Sequence, residues 1–161
     1  MNKQRLSPIF ILRAATLGAT VFGCTLALGA DSSVAARKPI GEKTTSMNIR
    51  IKVGDKAFTA TLEDNATSRA FQALLPMTIQ MTELNGNEKY FRLSTKLPTD
   101  ESNPGTIQSG DLMIYGQDTL VLFYKTFATS YSYTRLGRIN DTAGLAAAVG
   151  HGNVTVTCDL Q

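Results

Sequence analysis

The sequence has few of the residues from which enzyme active sites are usually built. Among 161 residues it contains one histidine, two cysteines and no tryptophan. His151 lies in a Gly-His-Gly turn, and no Cys, Asp or Glu cluster with metal-ligand spacing surrounds it. A GxSxG nucleophile motif and a phosphate-binding glycine loop are also missing. The sequence therefore predicts no metal site, no cofactor and no recognisable set of catalytic residues.

The scarcity of cysteine excludes a domain stabilised by internal disulfides. Cys24 falls in the N-terminal segment, which leaves Cys158 alone in the rest of the chain. Cys158 alternates with Val156 and Leu160 on the apolar side of a predicted strand. Because a reactive thiol needs an accessible, electropositive setting, we expect Cys158 to be buried and inert.

An uncharged, largely apolar run follows the positively charged N-terminus. Lys3, Arg5 and Arg13 precede or begin it, and residues 14–30 are too few for a comfortable membrane span. This pattern is typical of a signal peptide, predicted over residues 1–30, and of an exported protein, periplasmic or secreted. The residues before Cys24 loosely match the box that precedes a lipidated cysteine, so a lipoprotein anchored through Cys24 is the alternative. Membrane contact is expected only through this leader or such an anchor.

The segment that follows the predicted signal peptide and the predicted domain differ in composition and in charge. Residues 31–46 are rich in Ser, Thr, Lys and Ala and poor in large apolar residues, which predicts a flexible tether. Residues 47–161, the predicted domain, contain ten Lys and Arg against eleven Asp and Glu, a formal net charge of −1. Nucleic-acid binding requires a basic surface. We therefore predict no nucleic-acid partner.

The apolar residues of the predicted domain repeat with a period of two, which indicates β-strands. Gly54-Asp55 and Asn85-Gly86 supply turns between strands. The two arms at 111–115 and 119–125 are apolar on both faces, which predicts central strands. The other predicted strands are residues 49–53, 58–62, 77–81, 89–93 and 154–160.

Two segments are predicted to be helical. The first spans residues 64–75, with Asp64 or Asn65 as N-cap, and the second spans residues 141–149, with Asp141 as N-cap and Gly150 as stop. Seven or eight strands with two short helices in about 115 residues favour a mainly β, closed barrel, because closure removes exposed strand edges. The helices are then expected to cap its open ends.

Aromatic residues are concentrated in the segment that follows the central strands. Tyr124, Phe127, Tyr131 and Tyr133 occur within a few positions of one another in a chain that is only 7% aromatic. Tyr131 and Tyr133 share one face by the period of two, which predicts a partly open aromatic cleft. Packing in the barrel core and rim is the alternative. Arg135 is close enough in sequence to stack on Tyr131 or Tyr133.

The sequence also resembles a known family. Residues 58–76, FTATLEDNATSRAFQALLP, resemble the strand-turn-helix opening of cyclophilins, and YTRLGRI at 133–139 resembles a strand near their active site. From residue 47 to 160, and above all in NGNEKYF, GDLMIYG, LVLFYK and YSYTRLGRI, the chain resembles the bacterial cyclophilin-like domain family of uncharacterised proteins, distantly similar to peptidyl-prolyl isomerases. The resemblance implies an eight-stranded barrel capped by two helices.

The resemblance implies less about activity. Cyclophilins catalyse prolyl isomerisation with an arginine from a Phe-His-Arg strand, and that triplet is absent here. The nearest candidate is Arg92 in KYFRL, which also fits a solvent-facing strand residue, and Tyr133 stands where the resemblance would place a histidine. These departures argue against isomerase activity.

Two functional hypotheses follow from the sequence. In the first, the protein is an exported binding module without isomerase activity that holds a peptide or small molecule. The alternative is a divergent peptidyl-prolyl cis-trans isomerase in which Arg92 supplies the cation. In the first hypothesis, Arg92 or Arg135 pairs with an acidic or carbonyl group of the ligand. The aromatic ligand-binding candidates are Tyr124, Phe127, Tyr131 and Tyr133.

Overall fold

Ten β-strands and two short helices form the part of the chain described by the computed structural model, residues 47–161. The predicted signal peptide (1–30), the predicted tether (31–46) and Cys24 lie outside the described residues. The strands are β1 (Asn48–Val53), β2 (Lys56–Leu62), β3 (Met77–Leu84), β4 (Glu88–Arg92), β5 (Thr106–Ile107), β6 (Asp111–Tyr115), β7 (Thr119–Phe123), β8 (Phe127–Ala128), β9 (Thr134–Ile139) and β10 (Val154–Leu160). The helices are α1 (Ala66–Gln72) and α2 (Leu145–Val149).

Eight of the strands form a closed antiparallel barrel, which confirms the predicted fold class. The order around the barrel is β1-β10-β3-β4-β7-β6-β9-β2, and β2 pairs with β1 to close it. β5 and β8 form a separate two-stranded sheet. The sequence did not predict this small sheet, because each of its strands is only two residues long.

The barrel interior holds the main hydrophobic core. Side chains that alternate along the strands, such as Ile49, Ile51 and Leu122, are almost completely buried there. Phe71 of α1 and Leu145 of α2 belong to the same core, so both helices cap the barrel contents. At about 25 cal/mol per Å² of buried apolar surface, this burial is the main stabilising contribution to the fold.

The hairpin formed by β6 and β7 is apolar on both faces, as predicted for central strands. Leu112, Ile114 and Leu122 face the barrel core. Met113 and Val121 face outward into a second cluster. With its partly buried members, this outer cluster consists of Ile107, Met113, Val121, Phe123, Tyr133, Tyr90 and Phe127. Ile107 and Phe127 come from the β5–β8 sheet, which lies over this outer cluster.

Both helices are shorter than predicted. α1 begins after Asn65, whose side-chain oxygen accepts the backbone N–H of Ser68 at 2.8 Å, so Asn65 is its N-cap. The prediction that Asp141 caps α2 is wrong, because Gly144 adopts a φ of 79° and separates Asp141 from the helix. Asp141 instead accepts the N–H of Ala143 in the preceding turn. Gly150 ends α2 as predicted.

Two contacts fix β9 against its neighbours. Gly137 lies so close to β2 that a Cβ atom there would stand 2.4 Å from the carbonyl oxygen of Thr61 and 2.8 Å from the Cα atom of Leu62. On the other side, the buried carboxylate of Asp111 lies 3.4 Å from Arg138 Nε.

Within residues 47–161, neither helix has the length and apolar character needed to cross a membrane.

Candidate functional site

A cleft of about 330 Å³ lies on the outside of the barrel, beside the outer aromatic cluster. Its walls come from β4, β6 and β7, from the turn after β3 and from the segment that precedes β9. The lining residues are Leu84, Asn85, Glu88, Tyr90, Tyr115, Thr119, Val121, Tyr131 and Tyr133. We call this cavity the tyrosine cleft, because four of its nine lining residues are tyrosines.

Three of the four tyrosine rings of the tyrosine cleft belong to a continuous series of aromatic contacts. Phe127 contacts Phe123, with ring centroids 5.7 Å apart, and Phe123 meets Tyr133 edge to face at 5.5 Å. Tyr133 contacts Tyr115 at 5.6 Å, and Tyr115 meets Tyr131 edge to face at 6.3 Å. Such pairs contribute about 0.5–1.5 kcal/mol each beyond their burial. They hold the cleft wall in one arrangement.

Exposure differs sharply along this series of rings. Tyr133 is only 7% exposed, whereas Tyr115 is 48% and Tyr131 63% exposed. Tyr133 therefore forms the base of the cleft, and Tyr115 and Tyr131 form its rim. Burial raises the pKa of Tyr133, and the negative charge of Glu88 raises it further. Tyr133 is therefore a neutral phenol at neutral pH.

Among the described residues, Glu88 is the one charged residue that lines the tyrosine cleft. It is the first residue of β4, opposite Phe123 of β7, and it is 9% exposed. Within residues 47–161, no hydrogen bond is donated to its carboxylate, and no Lys or Arg forms a salt bridge with it. The carboxylate oxygens are not among the fully enclosed atoms that lack a partner, so they remain in contact with solvent. Burial raises the pKa of Glu88, and repulsion from Glu83 adds to this effect.

Tyr124 lies away from the tyrosine cleft, although the sequence grouped it with the other three aromatic candidates. Its hydroxyl donates a 2.8 Å hydrogen bond to Glu83 inside one end of the barrel. The fully buried ammonium of Lys89 also binds Glu83, donates to the carbonyl of Gly150 at 2.9 Å and lies 5.3 Å from the Tyr124 ring centroid. Burial and the bond to Glu83 raise the pKa of Tyr124 to about 12.

The remaining candidates are also distributed over different surfaces. Phe127 packs in the outer cluster beneath the small sheet but does not line the tyrosine cleft. Arg92 lines a different cleft, between β3 and the end of β4, and its side chain is 77% exposed with Nε 3.4 Å from Asp118 Oδ1. Arg135 is exposed on β9, where its backbone carbonyl accepts a hydrogen bond from Asn65. Of the six candidates, only Tyr131 and Tyr133 line the tyrosine cleft.

Seven of the nine residues that line the tyrosine cleft were not among the candidates predicted from the sequence, including Glu88, Tyr90 and Tyr115. Glu88 and Tyr90 alternate with the inward-facing Lys89 on β4. The period of two therefore places them on the outer face, and this signal was available in the sequence. Among residues 47–161, no three His, Cys, Asp or Glu side chains are grouped in a way that could hold a metal ion.

The sequence profile described as the Cyclophilin-like family matches residues 51–159, which is most of the chain. The chain belongs to the Cyclophilin-like family. The match begins within β1 and ends within β10, so it includes the six other barrel strands in full and every residue that lines the tyrosine cleft.

One solved structure has a similar fold. The solution structure of a hypothetical protein from Archaeoglobus fulgidus matches 76% of this chain and 100% of its own, with a TM-score of 0.52 and 18% sequence identity. At that identity the likeness concerns the fold alone. No curated protein matches the sequence.

Proposed function

We propose that this protein is a binding module of the Cyclophilin-like family that holds a peptide or a small molecule in the tyrosine cleft. The observation that carries the proposal is the exposure of Tyr131 and Tyr115 at the rim of a cleft whose base is the buried ring of Tyr133. Exposed aromatic rings lose unfavourable contact with water when a ligand covers them. A volume of about 330 Å³ is enough for a small molecule or one or two peptide side chains.

Export of the binding module is part of the proposal and rests on the sequence alone. The positive start and the short uncharged run of residues 1–30 support it, and the alternative of a lipid anchor at Cys24 stands beside it. Cell fractionation with mass spectrometry of the mature N-terminus tests both versions. Cleavage near residue 30 supports a released protein, a lipid on Cys24 supports an anchored one, and an intact N-terminus in the cytoplasm contradicts export.

The isomerase alternative depends on Arg92 and on a proline-binding surface close to it. Arg92 lies at the second cleft and is engaged with Asp118, while the exposed tyrosines line the tyrosine cleft. This separation favours the binding module. An NMR exchange assay on a proline peptide distinguishes the two hypotheses, since acceleration that is lost in Arg92→Ala would establish the enzyme.

Ligand binding in the tyrosine cleft can be tested by NMR. A set of short peptides and small aromatic fragments is titrated into the ¹⁵N-labelled full chain, and we expect shift changes at Tyr115, Tyr131 and Tyr133. Tyr131→Ala should weaken binding about tenfold or more. Leu160→Ala is the matched control, because Leu160 is also a large exposed apolar residue, 54% exposed, and lies outside the cleft. Shift changes confined to other surfaces would overturn the proposal.

A further inference from the structure

We propose that the tyrosine cleft selects a cationic group, an ammonium or guanidinium, and that Glu88 is the residue that neutralises it. This inference rests on the proposed function, because it names the chemical class of ligand that the same cleft would accept. The group could belong to a small amine or to the side chain of a basic peptide. The recognition chemistry is the same in both cases.

The carboxylate of Glu88 has no cationic partner among the described residues. Glu88 is only 9% exposed as a residue, so its carboxylate is less well hydrated than one on the open surface, and a counter-charge or hydrogen-bond donors would stabilise its ionised form. No described residue of the chain supplies either to Glu88. Its remaining exposure faces the cleft that it lines. A cation in the cleft would supply the missing partner.

The ammonium of Lys89, the cation nearest to Glu88 in sequence, cannot neutralise it. Lys89 follows Glu88 directly, but the alternation of β4 turns its side chain into the barrel. Its ammonium is committed there to Glu83 and to the carbonyls of Gly150 and Gly152. Since no Lys or Arg among residues 47–161 lines the cleft, the formal charge that this part of the chain gives it is that of Glu88. The cleft is therefore electrostatically suited to a positive ligand.

The tyrosine rings of the cleft are arranged so that their faces can contact a cation. Tyr115 is perpendicular to Tyr131, with an interplanar angle of 89°, and is tilted by 53° from Tyr133. Rings at such angles present faces in several directions instead of one flat stacking surface. The face of an aromatic ring attracts a cation within about 6 Å of its centroid. Tyrosine faces beside a carboxylate are a combination that binds alkylammonium and guanidinium groups.

The charge of the tyrosine cleft is opposite to the one predicted from the sequence, in which Arg92 or Arg135 pairs with an acidic or carbonyl group of the ligand. Neither arginine lines the tyrosine cleft, and the charged residue that does is acidic. The ligand is therefore expected to carry the positive charge.

Pairs of charged and neutral probes of the same shape test the inference on the full chain. For a small amine, choline is compared with 3,3-dimethylbutan-1-ol, and for a peptide, acetyl-Gly-Arg-Gly-amide is compared with its citrulline counterpart. Binding is measured by NMR titration and calorimetry. We expect the cation of at least one pair to bind at least tenfold more tightly than its neutral counterpart. The pair that shows this preference identifies the source of the cation.

Variants then assign the preference to Glu88. Glu88→Gln keeps the size of the side chain and should abolish the preference, whereas Glu88→Asp keeps the charge and should retain part of it. Glu63→Gln is the matched control, because Glu63 is exposed and outside the cleft, and should leave the preference unchanged. Melting temperatures confirm that each variant is folded.

The outcomes separate this inference from the proposed function. If neutral and charged probes bind equally well at the tyrosine cleft, or if Glu88→Gln retains the preference, the cation inference is overturned while the binding module stands. If no probe of either kind, and no peptide or fragment, binds at the cleft, both fail.

Discussion

Glu88 and Lys89 are neighbours in the chain, yet their charges lie on opposite sides of the barrel wall. Lys89 is neutralised inside the barrel by Glu83, and Glu88 faces the tyrosine cleft without a cation. The alternation of a β-strand, which points successive side chains to opposite faces, is the cause. The pair that the sequence would suggest, Glu88 with Lys89, therefore does not form.

The unpaired state of Glu88 predicts a pH-dependent effect on stability. Burial and Glu83 raise its pKa in the folded protein, and the other titratable groups of its cleft are tyrosines. The folded state therefore holds this proton more tightly than the unfolded state. Its stabilising contribution is complete below the unfolded pKa and is lost as the pH rises through the folded pKa.

Replacing Glu88 by glutamine removes the titrating group, so its contribution to the pH dependence of stability can be measured. The melting temperature of Glu88→Gln minus that of the wild type should increase as the pH rises from about 4 to 7. The reason is that the glutamine amide carries no charge that must be buried. Thermal unfolding over this pH range gives the difference directly, and Glu63→Gln provides the control. A difference that does not change with pH would contradict the assignment.

The buried group at the barrel end predicts a large loss of stability when one member is removed. Lys89→Met leaves the carboxylate of Glu83 and two backbone carbonyls without a donor, which should cost about 3–5 kcal/mol in the free energy of unfolding. Adding Glu83→Met to this variant should restore much of the loss, since no isolated charge remains. Urea unfolding measures both effects, and a double variant as unstable as the single one would refute this account.

Tyr124 and Tyr131 should respond to substitution in opposite ways. Tyr124→Phe removes the hydroxyl that donates to Glu83, so we expect a loss of about 1–3 kcal/mol in stability and unchanged binding of any ligand of the tyrosine cleft. Tyr131→Ala should leave stability nearly unchanged and weaken binding. Chemical unfolding and NMR titration of both variants provide the comparison. Loss of ligand binding in Tyr124→Phe at full stability would mean that the site extends into the barrel.

Gly137 should tolerate no side chain at its contact with β2. The Cβ of Gly137→Ala would clash with the carbonyl of Thr61 and the backbone of Leu62, which predicts a loss of about 1–3 kcal/mol as the strands separate. Gly116→Ala is the control, because it meets no atom within 4 Å and costs only the strain of a φ of 59°. If the two variants are equally stable, the close approach of β2 and β9 is not as described.

Cys158 should resist thiol reagents in the folded protein. It is buried in the core, and burial raises its pKa to about 12, so almost no thiolate forms at pH 8. Maleimide labelling followed by mass spectrometry of the peptide that contains Cys158 should show little modification in buffer and complete modification in denaturant. Rapid labelling without denaturant would indicate local opening of β10.

Much of the fold could be predicted because its determinants are local. The period of two located the long strands, and Asn85-Gly86 located a turn whose positive φ values these residues accept. The predicted start of α2 was wrong because an aspartate can cap a turn as well as a helix. Asp141 caps the preceding turn, and the φ of Gly144 decides where the helix begins. The sheet of β5 and β8 depends on pairing between distant short segments, which leaves no periodic signal.

The site was harder to predict than the fold. Tyr131 and Tyr133 were identified because they share a face within one segment. Tyr124 was grouped with them by proximity in sequence, although its alternation with Leu122 points it into the barrel. Glu88 joins the cleft only because β4 pairs with β7 and brings it beside Phe123. Neighbourhood in sequence is therefore a poor guide to which side of a barrel wall a residue occupies.

The two-faced hairpin of β6 and β7 limits how the specificity of the cleft could change. Met113 and Val121 are separated from the barrel core by one strand thickness, so resizing either of them shifts the backbone that also positions Ile114 and Leu122. The exposed ring of Tyr131 has no such second role. Evolution or redesign toward a new ligand is therefore expected to begin with that rim residue and to leave the hairpin unchanged.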